Sequence, residues 1–258
     1  WRNKRTKRCL FSNASLNTQR VLHRAQMIDR TTSTISVVIP TYNEARAIGQ
    51  VVREVPRNRV QEVIVVDNGS TDGTAERAAA AGARVIYEAR KGYGSACWAG
   101  AQVARKSDLI VFLDGDRSDD PAQLEHIVNP IIRDQADLVI GSRIGGNLEK
   151  GSMPLHAQLG NRLVVFLLRL FYGVRITDIG SFRAVRSREL FGLGMEQMTY
   201  GWPVEMVVKA ARSKLRIQSV PIRYRKRIGI SKVSGSLRGS ILATYYMFLV
   251  PLKYLFKH

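Results

Sequence analysis

Cysteine is nearly absent from this 258-residue chain: Cys9 and Cys97 are the only two. That is too few for a disulfide framework and points to a reducing compartment, with Cys97 read as a small helix-packing residue. No early segment carries the charged, apolar and small-residue zones of a signal peptide. No apolar run reaches the roughly 20 residues that a bilayer-spanning helix needs. The first strand-like segment is not followed by Gly-x-Gly-x-x-Gly, which argues against a dinucleotide-dependent oxidoreductase. Internal repeats and low-complexity stretches are missing as well. So are carboxylates at both ends: Trp1 to Ile28 holds seven Lys/Arg and Met206 to His258 twelve, with no Asp or Glu in either. Between them lie 21 charges of each sign, so the whole of the +19 sits in the two ends. Cationic ends on a neutral body suit an anionic membrane surface, where each basic residue contributes about 1 kcal/mol. A nucleic-acid partner is not expected, because the basic segments lack the motifs and aromatic interleaving of such modules.

What is present begins at Ile35. Short β-branched runs (35–40, 62–67, 83–88, 109–114 and 138–141) alternate with segments of helical period (45–55, 75–82, 95–106 and 121–134). Near-continuous apolar strands separated by helices predict a largely parallel sheet covered on both faces, with ligands at the carboxyl ends of its strands. Three strands run there into polar or Gly-rich stretches: Pro40-Thr-Tyr-Asn-Glu44, Asp67-Asn-Gly-Ser-Thr-Asp-Gly73 and Asp114-Gly-Asp116. After Gly141 the alternation fades. Leu163 to Val174 and Ile241 to Phe256 are apolar helix-like runs broken by Arg169 and by Pro251 and Lys253. The first is either an interfacial or a core helix; the second is expected on a membrane surface. The organisation expected is a basic arm over 1–34, with Met27 as a candidate start, a catalytic domain over 35–235 and a membrane-associating amphipathic segment over 236–258.

Asp114 and Asp116 follow a buried strand one residue apart. Two carboxylates cannot approach a nucleoside diphosphate unaided, whereas Mg²⁺ or Mn²⁺ held between them bridges protein and phosphates. Asp67 can accept hydrogen bonds from a nucleobase edge or close an Asx turn, with Ser70, Thr71 or Asp72 capping the next helix. Lys91-Gly-Tyr-Gly94 opens a helix and is either a phosphate cradle or a bare helix entry.

In this order the pieces closely resemble family-two glycosyltransferases with a GT-A fold. The matching segments are VVIPTYNE (37–44), VVDNGSTDGT (65–74), KGYGSA (91–96), FLDGDRSDDP (112–121) and GSR (141–143). Further on, ITDIGSFRAVRS (176–187), YGWPVEMVVKA (200–210) and VPIRYRKRIGISK (220–232) resemble dolichyl- or polyprenyl-phosphate mannose or glucose synthases. The resemblance spans roughly 35–235. It implies an α/β GT-A fold: a mostly parallel central sheet flanked by helices, with C-terminal amphipathic, interfacial helices. It also implies an inverting, metal-dependent hexosyltransferase taking a GDP-mannose or UDP-glucose type of donor to a polyprenyl or dolichyl phosphate, peripheral on the cytoplasmic, inner face of a membrane.

By the same resemblance Pro40, Tyr42, Glu44 and Asp67 would hold base and ribose, with Lys91 and Gly92 beside them. Asp114 and Asp116 would hold the metal and diphosphate, with Ser118 as a further polar contact. Arg143 would approach the donor. Arg183, Arg227, Ser231 and Lys232 would meet the acceptor phosphate. The synthases' Arg-x-x-Gly-x-Ser-Lys is one residue shorter here, Arg227-Ile-Gly-Ile-Ser-Lys232, so either Lys226 or Arg227 takes the phosphate role. Two rivals stand beside this reading. A hydroxyl acceptor on a glycolipid or polysaccharide would need Asp178 or Glu205 as general base; a module that only binds nucleotide-sugars would need none.

Overall fold

The computed structural model describes residues 33–229 and 237–255. The basic arm up to residue 32, Ser231 and Lys232 therefore lie outside the described residues. Seven strands form one sheet in the order β3-β2-β1-β4-β6-β5-β7. The first four are β1 (Ile35–Thr41), β2 (Glu62–Asp67), β3 (Arg84–Tyr87) and β4 (Leu109–Phe112). They are mutually parallel, with Thr41 opposite Asp67 and Val38 opposite Phe112. Every residue of β1 and β4 is buried, which is why these strands read as unbroken apolar runs.

Beyond β4 the pairing reverses. β6 (Arg183–Arg186) runs antiparallel to β4 on one side and to β5 (Leu138–Leu148) on the other. β7 (Ile217–Tyr224) closes the sheet parallel to β5, with a register shift between Ser142 and Asn147. The carboxyl ends of β1, β2 and β4 thus share one rim, and β5 runs in the same direction.

Alternate residues of each strand feed two cores. On one face, α1 (Ile48–Glu54), α2 (Thr74–Ala80) and α4 (Leu124–Ile132) cover Val37, Ile39, Val65 and Val111. On the other, α3 (Tyr93–Val103), α5 (Leu155–Tyr172), α6 (Ser187–Gly192) and α7 (Trp202–Arg212) cover Val38, Val66, Ile110 and Phe112. The last helix, α8 (Leu237–Leu255), joins this second face by burying Val250 and Tyr254. Its docking is polar too: Tyr172 donates its hydroxyl to the Pro251 carbonyl, and Tyr254 donates to Glu205 at 2.6 Å. No helix among the described residues is long and apolar enough to cross a membrane.

Candidate active site

The loops after β1 and β2 are clamped together. Ser70 Oγ accepts from the Asn43 amide, Asn43 Oδ1 accepts from Thr71, and Asp72 accepts from Ala45 and Thr74. The N-cap of α2 (Thr74–Ala80) is Gly73 with no side-chain cap, and Asp72 instead ties the loop to the first helical residue. Asp67 is buried, and its Oδ1 accepts from the Ser70 amide in an Asx turn. The cavity wall carries its neighbour Asn68 instead. Asn68 was missed in the sequence because it looks like an ordinary turn residue. Its amide donates to the Glu88 and Arg90 carbonyls and its Oδ1 accepts from Gly92, so it ties the β2 and β3 loops together.

Lys91 donates to the Asn68 and Gly69 carbonyls and lies 4.8 Å over the Tyr42 ring. In the Gly92-Tyr-Gly94 turn the Gly92 amide donates to Asn68 Oδ1. The Met198 carbonyl takes the Ser95 amide at 2.9 Å, and a Cβ on Gly92 or Gly94 would meet the 197–198 backbone at 2.2 or 2.3 Å. These glycines permit close backbone approach.

At the rim beyond β4, Asp116 Oδ1 accepts from both the amide and the hydroxyl of Ser118. Ser118 is thus turned toward Asp116, fully buried, and does not line the cavity. Asp116 Oδ2 pairs with Arg227 at 2.8 Å. Arg227 arrives there because the chain after β7 hydrogen-bonds along the acidic loop, Arg225 to the Ser118 carbonyl and Ile228 to that of Asp116. Asp119 is a further carboxylate the sequence reading passed over. Its Oδ2 accepts from the Asp114 amide and the Ser181 hydroxyl, while its Oδ1 is buried with no partner. Burial, followed by the charge of Asp114, pushes the Asp119 carboxyl up to about 8. Burial and Asp116 likewise raise Asp114 above its ordinary value.

The orphaned Asp119 oxygen beside Asp114 and Asp116 completes an acidic donor set of the kind that Mg²⁺ or Mn²⁺ takes. Among the described residues no group of three or more His, Cys, Asp or Glu side chains is preassembled for a metal.

Two expectations are corrected by burial. Asp178 is fully buried and off the cavity wall. It accepts from the Arg143 amide at 2.7 Å, grips the guanidinium through Nε at 2.9 Å and Nη2 at 2.7 Å, and accepts from Ile179. It is a clamp on Arg143, not a catalytic base. Arg183 is only 1% exposed, with its guanidinium turned to the carbonyls of Gly180 and Pro203, so it does not meet an acceptor phosphate. Glu205 is also sequestered, accepting from Glu196, Gln197 and Tyr254 and pairing with Lys209.

Pro40, Tyr42, Glu44, Lys91, Gly92, Asp114, Asp116, Arg143 and Arg227 share one cavity of about 670 Å³. The β1 loop and Lys91 line part of it. Helix α5 also contributes His156, Gly160 and Asn161, and α8 contributes Met247. Acidic residues and arginines thus face a common space, an arrangement suited to moving a group between two phosphate-bearing molecules.

Comparison with known proteins agrees with this geometry. Residues 36–192 match the family model described as Glycosyl transferase family 2. An uncharacterized glycosyltransferase of Mycobacterium tuberculosis is 37% identical, over 81% of this chain and 94% of that protein. The undecaprenyl-phosphate mannosyltransferase of Micrococcus luteus is 32% identical, over 80% of this chain and 89% of its own. Among solved structures, glucosyl-3-phosphoglycerate synthase of M. tuberculosis with phosphoglyceric acid superposes with a TM-score of 0.69 at 25% identity, over 87% of this chain and 80% of that one.

Proposed function

Because the chain belongs to glycosyltransferase family 2 and has its GT-A fold, we propose that it transfers a hexose, mannose or glucose, from a nucleotide-sugar to a polyprenyl or dolichyl phosphate, with inversion. The observation that carries this reading is the single cavity in which Asp114 and Asp116 oppose Arg143 and Arg227. The similarity to a mannosyltransferase named for undecaprenyl phosphate supports it. We assign catalysis to 35–235 and membrane association to 236–258, with the enzyme at the inner face of a membrane.

In this mechanism the base and ribose lie against Pro40, Tyr42 and Glu44, and the diphosphate lies at the acidic loop. Asp114 and Asp116 would hold Mg²⁺ or Mn²⁺, which when bound neutralises charge growing on the diphosphate. Arg143, kept rigid by Asp178, presents a planar fork to phosphate oxygens. Arg227 exchanges its Asp116 partner for the acceptor phosphate. An oxygen of that phosphate attacks the anomeric carbon as the bond to the nucleoside diphosphate breaks on the opposite face. A phosphate monoester, with its second pKa near 6, is already largely ionised at neutral pH, so no general base is required. That need not arise is an advantage here: both carboxylates suited to a base by sequence, Asp178 and Glu205, are buried and engaged. This favours phosphate over a hydroxyl as acceptor.

The test is to incubate the protein and Mn²⁺ or Mg²⁺ with labelled nucleotide-sugars and a polyprenyl phosphate, then extract the organic phase. Label is expected there with one donor of the GDP-mannose or UDP-glucose type. Asp116→Ala should lose about 10³-fold in kcat, equivalent to about 4 kcal/mol of barrier. Label on a hydroxyl-bearing glycolipid and none on the phosphate would overturn the acceptor, and near-normal turnover by Asp116→Ala would overturn the site.

A further inference from the structure

Glu205 is wholly buried and has no place in the transfer mechanism, yet four donors from three pieces of chain converge on it. From the loop before α7, the amides of Glu196 and Gln197 donate to it at 3.0 and 2.7 Å. From α8, Tyr254 donates its hydroxyl at 2.6 Å, and one turn further along α7 Lys209 pairs with it at 3.1 Å. A carboxylate taken out of water persists only when its oxygens are satisfied in this way. Its two shortest bonds, from Gln197 and Tyr254, run to the loop and to α8 and not along its own helix. Glu205 therefore fixes the 196–197 backbone and the last turn of α8 against one another. The same two pieces also meet at Gly201, where a Cβ would come within 3.0 Å of both Gln197 and Val250.

That loop is also the seat of α3. The Met198 carbonyl accepts from the Ser95 amide at 2.9 Å and from its hydroxyl at 3.3 Å. Gly92 and Gly94 lie so close to the 197–198 backbone that neither position has room for a Cβ. A shift of 196–198 must therefore shift the first turn of α3. In that turn Tyr93 lines the cavity and donates to Asp114 Oδ1 at 3.3 Å, while the Gly92 amide holds Asn68 Oδ1 at 2.8 Å. Asn68 and Lys91 stand in the same wall, with Lys91 donating to the Asn68 carbonyl.

We propose that Glu205 is a positioning residue: through Tyr254 and the 196–198 backbone it couples the seating of α8 to the first turn of α3, and so sets where Tyr93 meets Asp114 and where Asn68 stands in the cavity wall. The reaction this serves rests on the transfer proposed above; the coupling does not.

Tyr254→Phe tests it with the loss of one hydroxyl, since Glu205 keeps both amides and Lys209 and the variant should fold. In hydrogen exchange read by mass spectrometry, residues 92–98 should exchange about tenfold faster than in the parent, while β1 and β2 keep their protection. Glu205→Gln should show the same pattern more strongly, because all four donors lose the charge they meet. By calorimetry, the Kd of UDP or GDP with Mn²⁺, whichever the parent binds more tightly, should rise about fivefold in Tyr254→Phe, the worth of roughly one hydrogen bond. Tyr93→Phe should weaken the same binding, and the double variant should be no weaker than the worse single one, because both substitutions break one chain of contacts. In turnover the donor KM should rise while the KM for a prenyl phosphate stays where it is; a role in stability alone would lower the melting temperature and leave both constants unchanged. Exchange over 92–98 at the parent's rate in Tyr254→Phe, or effects of Tyr254→Phe and Tyr93→Phe that simply add, overturns the coupling. A parent that binds neither nucleotide refutes the transfer reading instead, and the exchange of 92–98 then decides the coupling by itself.

Discussion

At the scale of single residues, burial decides which polar side chain does what. Arg143 and Asp178 form a two-pronged pair with Asp178 wholly enclosed. Removing one partner of such a pair leaves an uncompensated buried charge, at a cost of about 3–5 kcal/mol. Asp178→Asn should therefore lower the melting temperature markedly and reduce kcat/KM by displacing Arg143, while the acid limb of the pH–rate profile stays where it is. A variant of unchanged stability whose acid limb has vanished would restore Asp178 as a base.

At the scale of elements, one carboxylate links three pieces of the fold. Glu54 at the end of α1 pairs with Arg117 of the acidic loop at 3.1 Å and with Arg225 beyond β7 at 2.7 Å, and Arg225 also reaches Asp120. This network holds the strand that delivers Arg227. Burial alone would raise the Glu54 pKa, but hydrogen bonds from Arg225, Arg117 and Gln50 outweigh it and hold the carboxyl below its ordinary 4.5. A group with a depressed folded-state pKa contributes stability that is present above the unfolded value and is lost as pH falls through the folded one. The parent's melting temperature should therefore drop more steeply below about pH 4.5 than that of Glu54→Gln. Parallel curves would show that Glu54 contributes nothing through its charge.

Over the whole molecule, the binding of donor and cation should be one linked event, because the acidic loop presents too few ligands for a metal and too much negative charge for a diphosphate. A ligand that binds only the folded state at 100 times its Kd adds about 2.7 kcal/mol. In thermal melts, the preferred nucleoside diphosphate should stabilise the protein by that order only with Mn²⁺ or Mg²⁺ present, and EDTA should abolish the gain. Equal stabilisation in EDTA would mean that arginines alone hold the diphosphate. The uneven charge maps onto the fold: the neutral stretch carries the acidic part of the site, and the carboxylate-free C-terminal stretch carries Arg227 and α8.

Local chemistry determined much of this protein from the sequence alone. Strands β1, β2 and β4 are buried on both faces and so had to be written as continuous apolar runs, and their polar ends had to meet at one rim because parallel strands share a direction. Asp114 and Asp116 could be placed in the site for that reason, whereas Arg143 and Arg227 were placed there by the resemblance of their segments to family-two glycosyltransferases. Tertiary pairing decided what no local signal encodes. Arg183–Arg186 is four residues with two charges, and only insertion between β4 and β5 makes it a reversed central strand that buries Arg183. Asp178 lies just before it and is enclosed by that same insertion. Helix α5 begins at Leu155, eight residues before the apolar run at Leu163, because the polar segment LHAQLGNR serves the cavity wall on one side and exposes leucines on the other. A residue's type and spacing record its preference for water, whereas the partner it meets depends on segments far away in the chain.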